Sequence, residues 1–481
     1  MSNSSYLSKL RWLGFGLLMG LTISAQSQTT LTQEIDKMLK ARCLDKNQTS
    51  VSIVALPSKT TVYATNTDQS LLPASVMKLV TSAAALHYLG PEYRFKTEFL
   101  YRGQRHNGTI QGDLIIRGGG DPRLSTENLW YIANQIKGSG IKEITGHLIV
   151  DKHFFDDYDR APQWEIERTQ RPYDANLSAF ALNFNSIIIH VLPGQYLGSE
   201  LNAWLDPAPA YIQLDNHTKT IKRGRNTISA RRNEETNGLL KIRLSGRLPI
   251  SAEEKTIRLN VENPIRYAAE TFRALLQKVG ITIKGTTQIV SAPLFGTQLY
   301  EHYSHNLSLI LKELNTYSNN FTAEQIVKTI AAERFGTPGS HAEGLKLIRE
   351  FLQISGANTK NVVLADGSGL SRKNRMTTAA ITDFLQEMYL RFDIGPDFLA
   401  ALRVMGSNGI NSHRLTKSPA RGQIRAKTGT LNKVSTLAGY VANQTGQIFA
   451  FALFLNNNGC GYRGADRIED SIITAIYNHS H

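Results

Sequence analysis

The sequence predicts an α+β fold: helices and paired strands in the two ends of the chain, separated by a large β-rich insertion. Three observations predict it. Behind Pro73, the run Leu79-Val80-Thr81-Ser82-Ala83-Ala84-Ala85-Leu86 has the composition of a buried helix. Near the C-terminus, Val434, Leu437, Gly439 and Val441 form an alternating segment, followed by another of Ile448, Ala450, Ala452 and Phe454. These are two strands joined by Ala442-Asn443-Gln444-Thr445-Gly446. From about Tyr93 to Pro293, short strand patterns and turns replace helical periodicity.

Taken in order, the chain opens with Lys9 and Arg11 before an apolar stretch, Trp12 to Leu21, followed by the small pair Ser24-Ala25. Residues 1–25 therefore read as a secretory signal, too short in its apolar run for a membrane span. The mature protein is expected to be exported and soluble, in the periplasm or at the cell envelope. A helix follows (Leu31 to Leu39), then two strands around Pro57-Ser58-Lys59, then the Ala-rich helix. The insertion, residues 93–295, holds strands such as Phe95 to Leu100, Gly112 to Ile116, Leu148 to Val150 and Ser186 to Val191. One clear helix, Ile265 to Val279, interrupts them, and one or two subdomains are expected. Leu307, Leu309, Ile310, Leu311 and Leu314 then mark one helix, and Phe321, Ile326, Val327 and Ile330 another. A last helix runs near Asp466 to Tyr477. Residues 26–92 and 296–481 make up the remaining domain.

Three short motifs carry chemistry. Ser75 and Lys78 stand three residues apart at the start of the Ala-rich helix, so they share a face. A serine hydroxyl needs a neighbouring base to become a nucleophile. A lysine half-buried beside other cations is expected to lose its proton easily enough to be that base. The same spacing in Ser139-Gly140-Ile141-Lys142 sits in a turn with no apolar helix behind it. Ser318-Asn319-Asn320 lies at a corner between two helices; the plain alternative for such a triplet is a helix cap. Ser304-His305-Asn306 repeats the pattern in a looser polar stretch. Lys427-Thr428-Gly429-Thr430 opens the C-terminal strand pair and holds the one Lys-Thr-Gly of the sequence.

In this order, the three motifs resemble the S-x-x-K, S-x-N and K-T-G set of penicillin-binding proteins and serine β-lactamases. Ser318 follows Ser75 by 243 positions (318 − 75), more than a compact β-lactamase uses. The resemblance thus narrows to low-molecular-mass class C penicillin-binding proteins, D-Ala-D-Ala carboxypeptidases and endopeptidases. Two further stretches are similar to that family: Gly118-Gly119-Gly120-Asp121-Pro122 and Asp366-Gly367-Ser368-Gly369-Leu370-Ser371-Arg372.

The resemblance implies a transpeptidase-like fold, an antiparallel sheet flanked by helices. It implies that Ser75 forms an acyl-enzyme with peptidoglycan stem peptides and that β-lactams are covalent inhibitors. Lys78 would be the base and Ser318 the proton relay to the leaving amine. Asn320 would meet the substrate backbone, and Lys427 and Thr428 the terminal carboxylate. Gly429 would admit the substrate, and the Thr430 and Ser75 N–H groups would form the oxyanion hole. Arg372 would meet the stem peptide, unless it pairs with Asp366 or caps a helix. Asp151 would meet the peptide's free amine, unless it begins a turn. Cys43 and Cys460, the two cysteines, flank strands that are neighbours in that fold, which leaves a disulfide and two free thiols both open. A β-lactamase and a non-catalytic wall-binding module are the rival readings. The first lacks an assignable deacylating glutamate, and the second has no need of a nucleophile.

With 41% hydrophobic and 20% charged residues, the composition is that of an ordinary globular protein. The net charge of +14 is spread along the chain, apart from Lys222-Arg223-Gly224-Arg225 and Arg231-Arg232. No nucleic-acid-reading motif accompanies it, so peripheral attraction to an anionic envelope is the expected consequence. His302 and His305 lack a carboxylate ligand, and neither a metal nor a cofactor is expected.

Overall fold

Val51, early in the chain, pairs with Leu453, close to its end, and this long-range pairing sets the architecture. In the computed structural model the described residues are 31–161, 164, 169–233, 238–407 and 414–479; the expected signal segment lies outside them. They divide into two compact units.

The first unit comprises the described residues up to His87, Leu311–Ser318 and Ile348 onward. Its centre is a six-stranded sheet of β1 (Thr49–Leu56), β2 (Thr61–Thr65), β3 (Arg403–Val404), β4 (Ile424–Leu431), β5 (Val434–Ala442) and β6 (Ile448–Leu455). The order is β3-β4-β5-β6-β1-β2, antiparallel throughout, as expected. Helices α1 (31–39) and α4 (Gly461–Asn478) bring Leu31, Ile35, Ile472 and Ile476 against Val51, Ile53, Phe451 and Leu453. The alternation of β1 puts its serines on the opposite side. There Ser50 and Ser52 share hydrogen bonds of 2.6 and 2.9 Å with Thr378 and Thr382 of α3 (Thr378–Leu390). Pairing hydroxyls with one another satisfies these buried groups, and the helix docks in one register. Helix α2 (Met77–Leu89) is buried at every position from Met77 to Leu86. A helix apolar all round belongs in a core rather than on a surface.

The second unit comprises Tyr88–Ile310 and Asn319–Leu347. It carries a seven-stranded sheet and two three-stranded sheets, so the insertion is β-rich as expected. One apolar core joins them, running from Phe99 and Leu114 through Ile187 and Ile242 to Tyr267 and Phe272. Two helices of the inserted segment pack on this core, Thr126–Gly138 and Pro264–Lys278; the sequence reading had named one. The helix Asn320–Phe335, assigned by sequence to the other domain, packs with this unit.

Cys43 and Cys460 form a disulfide, which resolves the open alternative. Among the described residues, no helix is long and apolar enough to cross a membrane, and no cluster of metal-binding side chains occurs.

Candidate active site

Ser75 occupies a single turn of 3₁₀ helix, Ala74–Val76, that leads into α2. Ala74 is held at φ 45°, an uncommon region for a residue with a Cβ. The loop Asp366 to Arg372 leans on this turn, and Gly369 makes the approach feasible. At φ 79° it needs glycine's freedom, and a Cβ there would stand 1.8 Å from the carbonyl oxygen of Ala74. The loop itself is held by Asp366, fully buried, whose carboxylate accepts from the backbone N–H groups of Gly369 and Ser371 and from Asn374. Arg372 is therefore not the partner of Asp366. It is exposed, and its guanidinium donates to the carbonyl of Asn432, just past the end of β4.

Lys78 has no solvent exposure. Its Nζ lies 3.1 Å from Ser75 Oγ and donates to the carbonyl of Ser368 at 2.6 Å. One turn of helix therefore places the Lys78 amine against the Ser75 hydroxyl, and the Asp366 loop orients the amine.

Strand β4 brings Lys427 to Thr430 alongside. Thr436, the β5 partner of Gly429, donates to the carbonyl of Pro73 at 2.8 Å, which ties the sheet to the turn carrying Ser75. A Cβ on Gly429 would stand 2.8 Å from the backbone nitrogen of Ser75. On the other side of β4, β3 pairs only with Arg425 and Ala426. From Lys427 onward the outer edge of β4 has no strand beside it among the described residues. An open edge is a place where an extended peptide can be added as a further strand.

Lys427 is 2% exposed, and its Nζ donates to the carbonyl of Thr428 at 2.7 Å. Burial holds its pKa well below the usual lysine value, and the charges of Lys78 and Arg403 push the same way. Arg403, on β3, belongs to no motif and was missed by the sequence reading; only its place beside β4 reveals it. Cationic groups gathered around a substrate strand make a place for an anion.

Ser318 ends the helix Leu307–Tyr317 at φ 55°. Asn315, one turn earlier, donates to Ser82 of α2 at 3.0 Å, which fixes that helix against α2 beyond Lys78. The helix cap foreseen as the plain alternative is made by the middle residue: the Asn319 side chain accepts from Thr322 N–H and starts the helix Asn320–Phe335. The boundary between the units falls between Ser318 and Asn319. Asn320 belongs to the second unit, where its amide donates to the carbonyl of Tyr173.

Asp151 also lies in the second unit and is 1% exposed. Its two oxygens accept from the N–H groups of His153 and Leu294, each at 2.9 Å, and Arg117 stands 3.4 Å away. These contacts describe the turn that sequence offered as the alternative, and the amine-binding role gains no support from them. An open groove of this unit, about 730 Å³, is lined by Asp156, Asp157 and Asp159 together with Arg160, and two of the carboxylates are paired, Asp156 with Lys328 and Asp157 with Lys152. The Gly118 to Pro122 stretch is irregular backbone that follows the strand Thr109–Arg117, with Gly120 at φ 76°.

A serine hydroxyl against a buried lysine amine, beside a lysine-bearing strand with an open edge, is the set of groups that a serine acyl-transfer enzyme of the penicillin-binding type requires. The chain belongs to the D-Ala-D-Ala carboxypeptidase 3 (S13) family, whose profile matches residues 31–475. It is 32% identical to the D-alanyl-D-alanine carboxypeptidase of Actinomadura sp., over 94% of this chain and 85% of the relative. It is 28% identical to the D-alanyl-D-alanine carboxypeptidase DacB of Haemophilus influenzae, over 81% of each. The fold is similar to the crystal structure of penicillin binding protein 4 (dacB) from Haemophilus influenzae, with a TM-score of 0.78, 24% identity, and coverage of 92% of this chain and 98% of that one. The protein is a serine-type hydrolase of the D-Ala-D-Ala carboxypeptidase class.

Proposed function

We propose that the protein cleaves the terminal D-alanine or a D-alanine crosslink from peptidoglycan stem peptides through an ester on Ser75, in the periplasm or at the cell envelope. The observation that carries this reading is the contact of Lys78 Nζ with Ser75 Oγ, 3.1 Å, in a site that also holds Lys427. The substrate chain lies along the open edge of β4. Its terminal carboxylate is held by Lys427 and Thr428, with Arg403 adding positive charge. Neutral Lys78 takes the Ser75 proton as Oγ attacks the carbonyl of the penultimate D-alanine. The N–H groups of Ser75 and Thr430 hold the oxyanion, a term worth about 3–4 kcal/mol per donor in comparable sites. Ser318 returns the proton to the departing amine, and water then releases the acyl group.

β-Lactams enter the same step and stop at the ester. One of the similar structures, penicillin binding protein 4 from Haemophilus influenzae, is a β-lactam complex, which supports the assignment. Arg372, at the far end of β4, is proposed to meet the stem peptide.

The test is release of D-alanine from a pentapeptide, and of monomers from crosslinked muropeptides, by wild type, Ser75→Ala and Lys78→Ala. Both variants are expected to lose several orders of magnitude in rate. Undiminished release by Ser75→Ala overturns the proposal.

A further inference from the structure

Charges that are dispersed in the sequence gather on one surface in the fold. In the second unit, the strand Leu240–Pro249 lies between Ile212–Ile221 and Ser229–Arg232. Its burial alternates: Ile242, Leu244 and Leu248 enter the core, while Lys241, Arg243 and Arg247 face solvent. Register adds exposed cations beside them, with Arg231 opposite Arg243 and Lys219 opposite Arg247. Outward positions stand about 7 Å apart along a strand, and neighbouring strands about 5 Å apart. The result is a patch of five cations, with Asp215 directly opposite Arg243. The one carboxylate on it, Asp215, is 2.8 Å from His217.

At one end of this sheet the chain leaves Ile221 into Lys222-Arg223-Gly224-Arg225, all exposed. Two turns flank the same end. Gly198 N–H donates to Thr220, and Ile250 N–H donates to Ile221. These turns present Tyr196 at 68% exposure, Leu197 at 51% and Ile250 at 42%. The acids of the adjoining turns, Glu200, Glu253 and Glu254, leave a positive excess over the eight basic residues named, and Glu254 is paired with His190.

Basic residues attract an anionic surface through the solvent, whereas an exposed tyrosine and aliphatic side chains gain only by entering an apolar phase. The two together on one rim fit a bilayer better than a soluble polyanion, which rewards the charges alone. We infer that this end of the second unit is a peripheral docking surface for an anionic phospholipid bilayer. Tyr196, Leu197 and Ile250 seat at the headgroup boundary, and the cations from Lys219 to Arg247 face the phosphates. Docking is independent of the Ser75 chemistry.

The test is co-sedimentation of the mature chain, residues 26–481, with vesicles of phosphatidylcholine alone, or with a third of phosphatidylglycerol, at low and physiological salt. Binding is expected only with the anionic lipid and falls with salt. Near a charged surface each cation contributes about fivefold in partitioning. Lys222→Glu/Arg223→Glu/Arg225→Glu should therefore bind at least about 100-fold more weakly. Tyr196→Ser/Leu197→Ser should also bind more weakly, and Tyr196→Trp should shift its fluorescence to the blue on the anionic vesicles. Labelling of Ser75 by fluorescent penicillin checks that each variant is folded. Absence of binding to the anionic vesicles, or binding untouched by the charge reversals, overturns the inference. So does loss on charge reversal with no effect of Tyr196→Ser/Leu197→Ser and equal binding of inorganic polyphosphate, which assigns the face to a soluble polyanion.

Discussion

Gly429 and Ser75 approach so closely that a Cβ on the glycine would stand 2.8 Å from the serine's backbone nitrogen. It would also stand 2.2 Å from Thr436 Oγ1, whose hydrogen bond to Pro73 ties β5 to the same turn. Neither neighbour is a flexible side-chain end that can swing away. Gly429→Ala should therefore push β4 from the nucleophile and misplace the oxyanion donors. We expect acylation by a fluorescent penicillin to slow about 100- to 1,000-fold, the range seen when one oxyanion donor is lost. Unchanged acylation kinetics would mean that this approach does not set the site.

Lys427, the proposed partner of the substrate carboxylate, is held in place at the expense of folding. It is buried, and its folded pKa lies well below the ordinary value of 10.5. Between those two values the unfolded chain holds more protons than the folded one, so stability rises with pH through that window. Lys427→Met removes the buried charge. It should raise stability at neutral pH by about 1–3 kcal/mol and abolish that pH slope. It should also lower kcat/KM about 100-fold or more, since the substrate carboxylate loses its partner. Thermal unfolding against pH, with D-alanine release in parallel, checks both halves.

Burial raises the Asp121 carboxyl to about 7, from an ordinary 3.8. One of its oxygens accepts from Arg123 N–H, and the other has no hydrogen-bond partner. Here the folded state holds more protons than the unfolded one between 3.8 and about 7, so stability falls as pH rises through that window. Asp121→Asn should remove the slope and stabilise the protein at pH values above it by about 1–3 kcal/mol. Identical unfolding profiles for the two proteins would contradict this reading of Asp121.

The disulfide joins residues 417 positions apart and ties the segment before β1 to the start of α4. Cys43→Ser/Cys460→Ser should lower stability by about 2–5 kcal/mol. Penicillin labelling should persist below the melting temperature, because neither cysteine touches a residue of the Ser75 site. Mass spectrometry of the unreduced wild type should find no free thiol.

Much of this was legible in the sequence, because the chemistry depends on local spacing. Ser75 and Lys78 needed only a helix to meet, and the apolar run after them announced one. The alternation behind Lys427 announced β5 and β6, whereas the separate strand β4 that carries Lys427, and its open edge, appear only in the fold. What escaped were relationships that only the assembled fold creates. Arg403 carries no motif and reaches the site through a two-residue strand. Ser368 serves through its carbonyl, which every residue has. The N–H groups of His153 and Leu294 that hold the Asp151 carboxylate come from segments whose meeting the sequence does not announce. The helix Thr126–Gly138 was in fact encoded, with Leu129, Ile132, Ala133 and Ile136 on one face and a capping box at Ser125 and Asn128. The exposed Trp130 and Tyr131 blurred that stripe.

The central claim is that Ser75 is the acylated nucleophile. Its most direct test is peptide mapping by mass spectrometry after brief exposure of the wild type to benzylpenicillin. The account predicts one penicilloyl group, on the peptide that contains Ser75, and none when Ser75 is replaced by alanine. A covalent adduct on any other residue, or penicillin held without a covalent bond, would contradict it.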